Sequence, residues 1–546
     1  MMYMRWVQAH IYSIVIVLLV IGSMWPSFYE LSRATDVHPD RHFELVHNYY
    51  TDYNFYLSRI RQGIEGSPLV HEKYTSEPHQ GSLFQIVYLA MGWVGDFLTV
   101  PWDRPGDIYH VARFVFAFPV LFLIAEFCKT TLGKLKKSTK VWTFIGFLLA
   151  VTASTWPKLV NAFDGWRFGG YMAWFSVMDS LQRITFLPHL LIGQALMMYL
   201  LLAMSDRDTM KRTGNWIFLG FIALLLAVIY PPGLVLVAAA SLYLFIFDRI
   251  FWPRVTIGLI SVPAVVYIFL MSTVYPWKRL VEFDVLNPVA FDLWEYILAV
   301  GPLLPLGIAG LILALLKRES ILKSVISWLL AFFTLFAVFH FIPQQHPLRF
   351  SEVLPHVPLA ILTAYLLSNI GNLGSLSKKI ALTVAAIIII LGAGVMYSSW
   401  LWQRDFTVHK LIASYPLVPS GSYVMYPLKD FIAGMTYLRG ATPRDSVVLS
   451  MQTTGNYIPV YAGNTVYYGH ANTVKYEEKK VLVESFFAGT MDPDVAKNWI
   501  IGAGISYVFF GPQEKEVGNI EFLESVYPFL IPVYTNPHVV LYRVVK

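Results

Sequence analysis

The sequence predicts a polytopic α-helical membrane protein of about eleven transmembrane helices with a C-terminal α/β domain, and three observations lead there. Of its 546 residues, 56% are hydrophobic and 14% are charged, which a water-soluble chain would have to bury in an implausibly large core. The apolar residues come in runs of about 17 to 25, the length an α-helix needs to cross roughly 30 Å of hydrocarbon. Beyond residue 397 those runs stop, and short β-branched or aromatic runs take their place.

Taken in order, the expected spans are 11–28, 108–128, 141–157, 185–203, 215–230, 233–248, 255–274, 293–316, 322–341, 352–369 and 379–397. The first follows a single Arg5 and has no small-residue cleavage site, so it is expected to be retained. Pro231 and Pro232 allow either one kinked helix or two short ones between 215 and 248. Basic residues at both ends of that segment favour two passes.

The cations crowd alternate loops: Lys129, Lys134, Lys136, Lys137 and Lys140; Arg207, Lys211 and Arg212; Arg249 and Arg254; Lys317, Arg318 and Lys323; Lys378 and Lys379. By the positive-inside rule these loops and the N-terminus face the cytoplasm. The net charge of +6 is thereby accounted for, and no nucleic-acid partner is implied. Two pieces are then expected outside: the first outer loop, 29–107, within a transmembrane domain of 1–397, and an extracytoplasmic domain of 398–546. In the latter, DSVVLSM, NTVYYG, ISYVFFG and HVVLYRV read as strands, and Pro427 to Arg439 and Glu477 to Phe487 as helices. Short basic loops without targeting or retention signals point to a bacterial or archaeal plasma membrane. Cys128 stands alone, which excludes an internal disulfide and a cysteine metal site.

The middle of the first outer loop is expected to form an amphipathic helix along the membrane surface. On it Asp52, Tyr56 and Arg59 fall at i, i+4 and i+7, on one face. Transfer of a sugar to a hydroxyl needs a base for the acceptor's proton and positive charge or a metal for a phosphate leaving group. Asp52 is the candidate base; taken locally, the same residue is equally suited to cap the helix that follows it. Arg349, with His346 in the loop IPQQHPLRFSEV, is the candidate phosphate contact, since a guanidinium offers several donors at once. Arg113 has the same chemistry near the outer end of the second span, or pairs with Asp107. A divalent ion, Mg or Mn, would take oxygen ligands and one histidine, from Asp52 with Asp179 or His189. The tyrosines and His470 of GNYIPVYAGNTVYYGH are expected mainly to pack, with acceptor contact as the alternative.

The order of an acid with aromatics, then YLSRIRQG, a Gly/Pro turn, the EPH segment, a helix ending in GD, and YHVARFVFAF opening the second span resembles the GT-C glycosyltransferases. It is most similar to the aminoarabinose lipid A transferases and protein O-mannosyltransferases, over roughly residues 1–130. The resemblance implies that the acid near the end of the first span is the catalytic or metal-associated carboxylate, and Asp52 alone matches it. Thr51 stands where a paired acid would be, and Glu77, Pro78 and His79 replace a lysine and paired prolines, making Glu77 and His79 the implied substrate contacts. A basic residue in the late outer loop is also implied, here Arg349. The stretch YNFYLSR resembles the first-loop motif of oligosaccharyltransferases, but no WWDYG follows.

The expected function is transfer of a sugar from a polyprenyl-phosphate donor to a glycan, lipid or protein acceptor on the outer face, in contact with membrane lipids. An oligosaccharyltransferase, a lipid or solute transporter, and an inactive scaffold are the alternatives. A transporter would show repeated halves and ionisable groups near the midplane.

Overall fold

The computed structural model describes residues 2–46, 49–135, 140–162, 164–172, 179–342, 345–421 and 423–545, with side chains from His10 onward. The expected basic residues Lys136 and Lys137 lie outside these. The chain forms two compact units: 1–26, 111–268 and 284–402 make up the first, and 27–110, 269–283 and 403–546 the second.

The first unit is helical. Among the described residues six helices are long and apolar enough to cross a membrane: Pro105–Lys134, Pro188–Ser205, Pro231–Asp248, Trp252–Met271, Ser320–Phe339 and Ser375–Ile412. Three more candidates are bent pairs, His10–Ser23 with Trp25–Ser32 at 47°, Leu293–Val300 with Leu303–Leu316 at 80°, and Pro347–Val353 with His356–Gly371 at 61°. The bends fall where Pro26, Gly301 with Pro302, and Pro355 interrupt the helical ladder. The two remaining expected spans are the shorter apolar helices Lys140–Thr152 and Thr213–Ile229. Pro231 begins a new helix after Tyr230 leaves helical geometry, so the 215–248 segment is two helices and not one kinked one. The last helix runs 38 residues, well past the expected boundary at 397.

A small antiparallel hairpin, β1 Lys158–Ala162 and β2 Gly165–Gly169, also belongs to this unit.

The second unit combines the first outer loop with the C-terminal region. Its five-stranded mixed sheet contains β3 Val447–Leu449, β4 Thr465–Val466, β5 Ile505–Phe510, β6 Leu530–Thr535 and β7 Val540–Val544, in the order β4-β3-β5-β7-β6. Four of these are the expected runs; β6, whose sequence LIPVYT carries a proline at a register shift, is not.

Side chains alternate between two cores across the sheet. Val448, Phe509 and Leu541 face one cluster, while Leu449, Val508, Phe510, Val540 and Tyr542 face the other. Both faces are therefore covered, which explains why these strands are apolar at successive positions.

The helix Tyr50–Ile64 was expected to lie amphipathically on a membrane surface, yet eleven of its fifteen residues are buried in this unit. Its neighbour is the helix Ile86–Phe97. The two touch backbone to backbone, because a Cβ on Gly63 would lie 2.1 Å from the carbonyl oxygen of Leu89 and one on Gly92 2.1 Å from that of Ile60. Asn54, Arg59, Arg61 and Gln62 of the Tyr50 helix find hydrogen-bond partners within the unit.

Candidate functional site

Asp52 sits in the first turn of the helix Tyr50–Ile64, whose N-cap is Tyr49. The capping role open to it in the sequence is therefore not the one it takes, because the helix begins two residues earlier. A carboxylate in the first turn still gains from the positive end of the helix dipole. Its side chain is 60% exposed, and its Oδ1 lies 3.6 Å from Nε2 of His470.

His470 is buried and stacked on Phe55, ring centroids 4.5 Å apart. Its Nδ1 accepts the backbone N–H of Asn472 at 3.1 Å. That bond leaves the ring proton on Nε2, the nitrogen turned toward Asp52. The close approach of Gly455 and Gly469 fixes the loop that carries His470, since a Cβ on Gly455 would lie 2.0 Å from the carbonyl oxygen of Tyr468. Asn456, on the same helix as Gly455, accepts from the side chain of Asn54 at 2.9 Å and donates to the carbonyl of Thr51 at 3.1 Å. The backbone beside Asp52 is held by that pair of bonds.

The other expected members of the Asp52 face turn inward. Tyr56 is half-buried and stacks on Tyr88 at 4.4 Å. Arg59 is fully buried, donates to Glu72 at 2.6 Å and to Gln85 at 3.1 Å, and lies over the Phe55 ring. Its charge is neutralised internally, so the shared face is accessible at Asp52 and closed at Arg59. Glu77 pairs with Lys479 at 2.7 Å; although burial opposes it, that lysine holds its carboxyl below the usual range. His79 accepts the backbone N–H of Glu72 through Nε2 at 2.9 Å and donates from Nδ1 to the carbonyl of Glu77 at 2.8 Å. Both residues thus shape the 72–79 turn.

In the first unit, Arg113 donates to the carbonyls of Thr185 and Phe186 at 3.0 and 3.2 Å. Asp107, its expected alternative partner, pairs instead with Arg104 at 2.6 Å. His346 caps the helix Pro347–Val353 through Nδ1 and donates from Nε2 to the carbonyl of Val289 at 3.1 Å. Arg349 forms a two-pronged pair with Asp284 at 2.8 and 3.3 Å and remains 38% exposed. Burial alone would raise the Asp284 carboxyl, but Arg349 holds it below its ordinary value.

Asp179 caps a short helix, accepting from the backbone N–H of Leu181 at 2.8 Å and from Ser399 at 2.7 Å. Both of its oxygens are committed. His189 is half-buried at the start of the helix Pro188–Ser205. Asp52 belongs to one unit and these two to the other, and among the described residues no three His, Cys, Asp or Glu side chains gather to hold an ion.

Glu44 escapes sequence reasoning altogether. It is buried and accepts from Tyr457 at 2.7 Å and from Tyr461. Burial pushes its carboxyl up to about 7 against the pull of both tyrosines. The partners stand more than 400 positions away, and no spacing in the sequence connects them.

No protein-family model matches the chain, and no curated protein sequence matches it. Among solved structures it is similar to the Archaeoglobus fulgidus oligosaccharyltransferase tethered with an acceptor peptide containing the NVT sequon. There the identity is 13%, the match covers 93% of this chain and 70% of that one, and the TM-score is 0.53. It is similar as well to the arabinofuranosyltransferase AftD from Mycobacteria, at 13% identity and a TM-score of 0.52, over 97% of this chain and 40% of that one. ArnT from Cupriavidus metallidurans aligns over 100% of this chain and 98% of its own at 12% identity, with a TM-score of 0.48. The first two share the GT-C fold, and this multi-pass membrane chain has it too.

Proposed function

We propose that this protein is a membrane glycosyltransferase that moves a sugar from a polyprenyl-phosphate donor to an acceptor hydroxyl on the extracytoplasmic face. The observation that carries the reading is Asp52: an exposed carboxylate, free of helix capping, in a unit whose buried Arg59 and Lys410 are paired with Glu72 and Glu30. The fold supports the reaction class by analogy with the glycosyltransferases that share it.

In this mechanism Asp52 takes the proton as the acceptor oxygen attacks the anomeric carbon. The bond from that carbon to the phosphate oxygen breaks, its electron pair leaves with the phosphate, and the anomeric centre inverts. His470, with Nε2 3.6 Å from the carboxylate, is the neighbour that orients it through its electrostatic pull. Arg349, half-exposed and shared with Asp284, is the candidate donor-phosphate contact.

The test is sugar transfer by purified protein in lipid, with a panel of radiolabelled polyprenyl-phosphate sugars and membrane extract as acceptor. Asp52→Asn is expected to lower transfer by about 10²- to 10⁴-fold with folding intact. Equal transfer by the variant would remove Asp52 from the mechanism, and no transfer from any donor would favour a transporter or an inactive scaffold.

A second reading, oligosaccharide transfer to a peptide, draws on the likeness to the archaeal oligosaccharyltransferase. Labelling of an added Asn-x-Thr peptide, and not of extracted glycan or lipid, would select it.

A further inference from the structure

Four helix ends of the first unit meet at Asp248. Its carboxylate receives Arg254 at 2.7 and 2.8 Å and Lys323 at 2.8 Å, and its backbone carbonyl receives Arg207 at 3.5 Å. Arg249 is exposed at the next position. The nearby acids of the Arg207 turn are engaged elsewhere, Asp206 by Thr209 and Asp208 by Lys211. One carboxylate thus faces an excess of cations.

Beside this cluster a cavity of about 510 Å³ opens between the helices Pro231–Asp248 and Trp252–Met271. Its walls are apolar, including Leu234, Phe245, Val262 and Val265, and Arg254 forms part of its lining. Arg254 is 6% exposed, and its Nε has no hydrogen-bond partner among the described residues. A buried guanidinium N–H without a partner is costly, and an acceptor reaching it from the cavity would relieve that cost. Gly258 borders the same space with nothing within 4 Å of where a Cβ would stand.

An apolar slot between spans, ending at clustered Arg and Lys, matches a molecule with a hydrocarbon chain and an anionic head. The basic loops mark the leaflet in which anionic glycerophospholipids concentrate, and each Lys or Arg near that surface adds to the attraction. We propose that this cavity binds an anionic glycerophospholipid, its acyl chain between the two helices and its phosphate among Arg207, Arg249 and Lys323, with an acceptor oxygen reaching Arg254 Nε.

The test uses the full-length protein in neutral detergent, titrated with phosphatidylglycerol or with phosphatidylcholine of identical chains. Thermal unfolding and the native mass are read together. Phosphatidylglycerol is expected to raise Tm in the concentration-dependent manner of a bound ligand and to leave one adduct in the mass, with phosphatidylcholine doing neither. Gly258→Phe, which fills the slot, is expected to lose shift and adduct, and Arg249→Gln to weaken the preference without unfolding the protein. Equal shifts with both lipids overturn the proposal. So does a preference that survives both substitutions, a lipid-free dimer in the mass spectrum, or stronger selection of a polyprenyl phosphate than of phosphatidylglycerol.

Discussion

At the scale of single residues, the arrangement around Asp52 distinguishes a positioning residue from a merely packed one. His470→Ala is expected to lower kcat for sugar transfer about tenfold, the equivalent of about 1.4 kcal/mol, with KM little changed. His470→Gln keeps an N–H on the same side and is expected to recover most of that loss. If both variants instead lose folded protein in equal measure and retain normal turnover per folded molecule, His470 is only packing. Glu44 makes a different prediction. Its carboxyl rises from an ordinary 4.5 to about 7 in the folded protein, so the native state holds a proton that the unfolded chain gives up. Stability from this group is present below about pH 4.5 and is lost as pH rises toward 7, on the order of 3 kcal/mol at 1.36 kcal/mol for each pH unit. Glu514, buried beneath the backbone N–H groups of Met451 and Gly511, acts with the same sign. Tm is therefore expected to fall between pH 5 and pH 7.5, and the fall to be visibly smaller in Glu44→Gln; an unchanged slope would show that Glu44 stays ionised.

Helices and strands show where the sequence was informative. Hydropathy is a local property, so apolar helices or bent helix pairs lie where spans were expected, six to nine of them among the described residues long and apolar enough to cross a membrane, and β-branched runs located four of the five strands. Breaks within spans were less legible, because a proline permits a bend without fixing its angle. The candidate site was legible at Asp52, through a family resemblance, and illegible at its partners. Asn54 and Asn456 are 402 positions apart, and nothing periodic links them. The amphipathic pattern of the Tyr50 helix misled for a related reason: spacing puts Arg59 on the Asp52 face, and nothing in that spacing discloses Glu72 and Gln85 as its partners. Glycines set the element contacts that matter most. Gly92→Ala is expected to destabilise the protein by about 1–3 kcal/mol by prising apart two helices, as overpacking does. Gly455→Ala moves the His470 loop, and is expected to reduce transfer more than its effect on Tm accounts for; loss of Tm and activity in proportion would argue against that separation.

For the whole molecule, the orientation expected from the alternation of basic loops is one that chemical labelling tests. The single native thiol, Cys128, is buried, so an introduced cysteine is the reporter. In intact cells a membrane-impermeant maleimide is expected to label Asp494→Cys and to miss Lys378→Cys until the membrane is opened. The reverse pattern would invert the topology and move Asp52 to the cytoplasmic side.

The second unit draws on three stretches of chain, 27–110, 269–283 and 403–546. Arg41 spends its guanidinium on the carbonyls of Ser414, Pro416, Leu417 and Tyr426, and Lys410 closes on Glu30 deep inside the unit. A ribosome exposes the first of these stretches long before it makes the last. Throughout the synthesis of some 300 intervening residues, a helix bearing Arg61 waits without the carbonyls of Val460 and Ala462 that will receive it. A chain that stops short of residue 403 lacks His470, and Asp52 is then left without that neighbour.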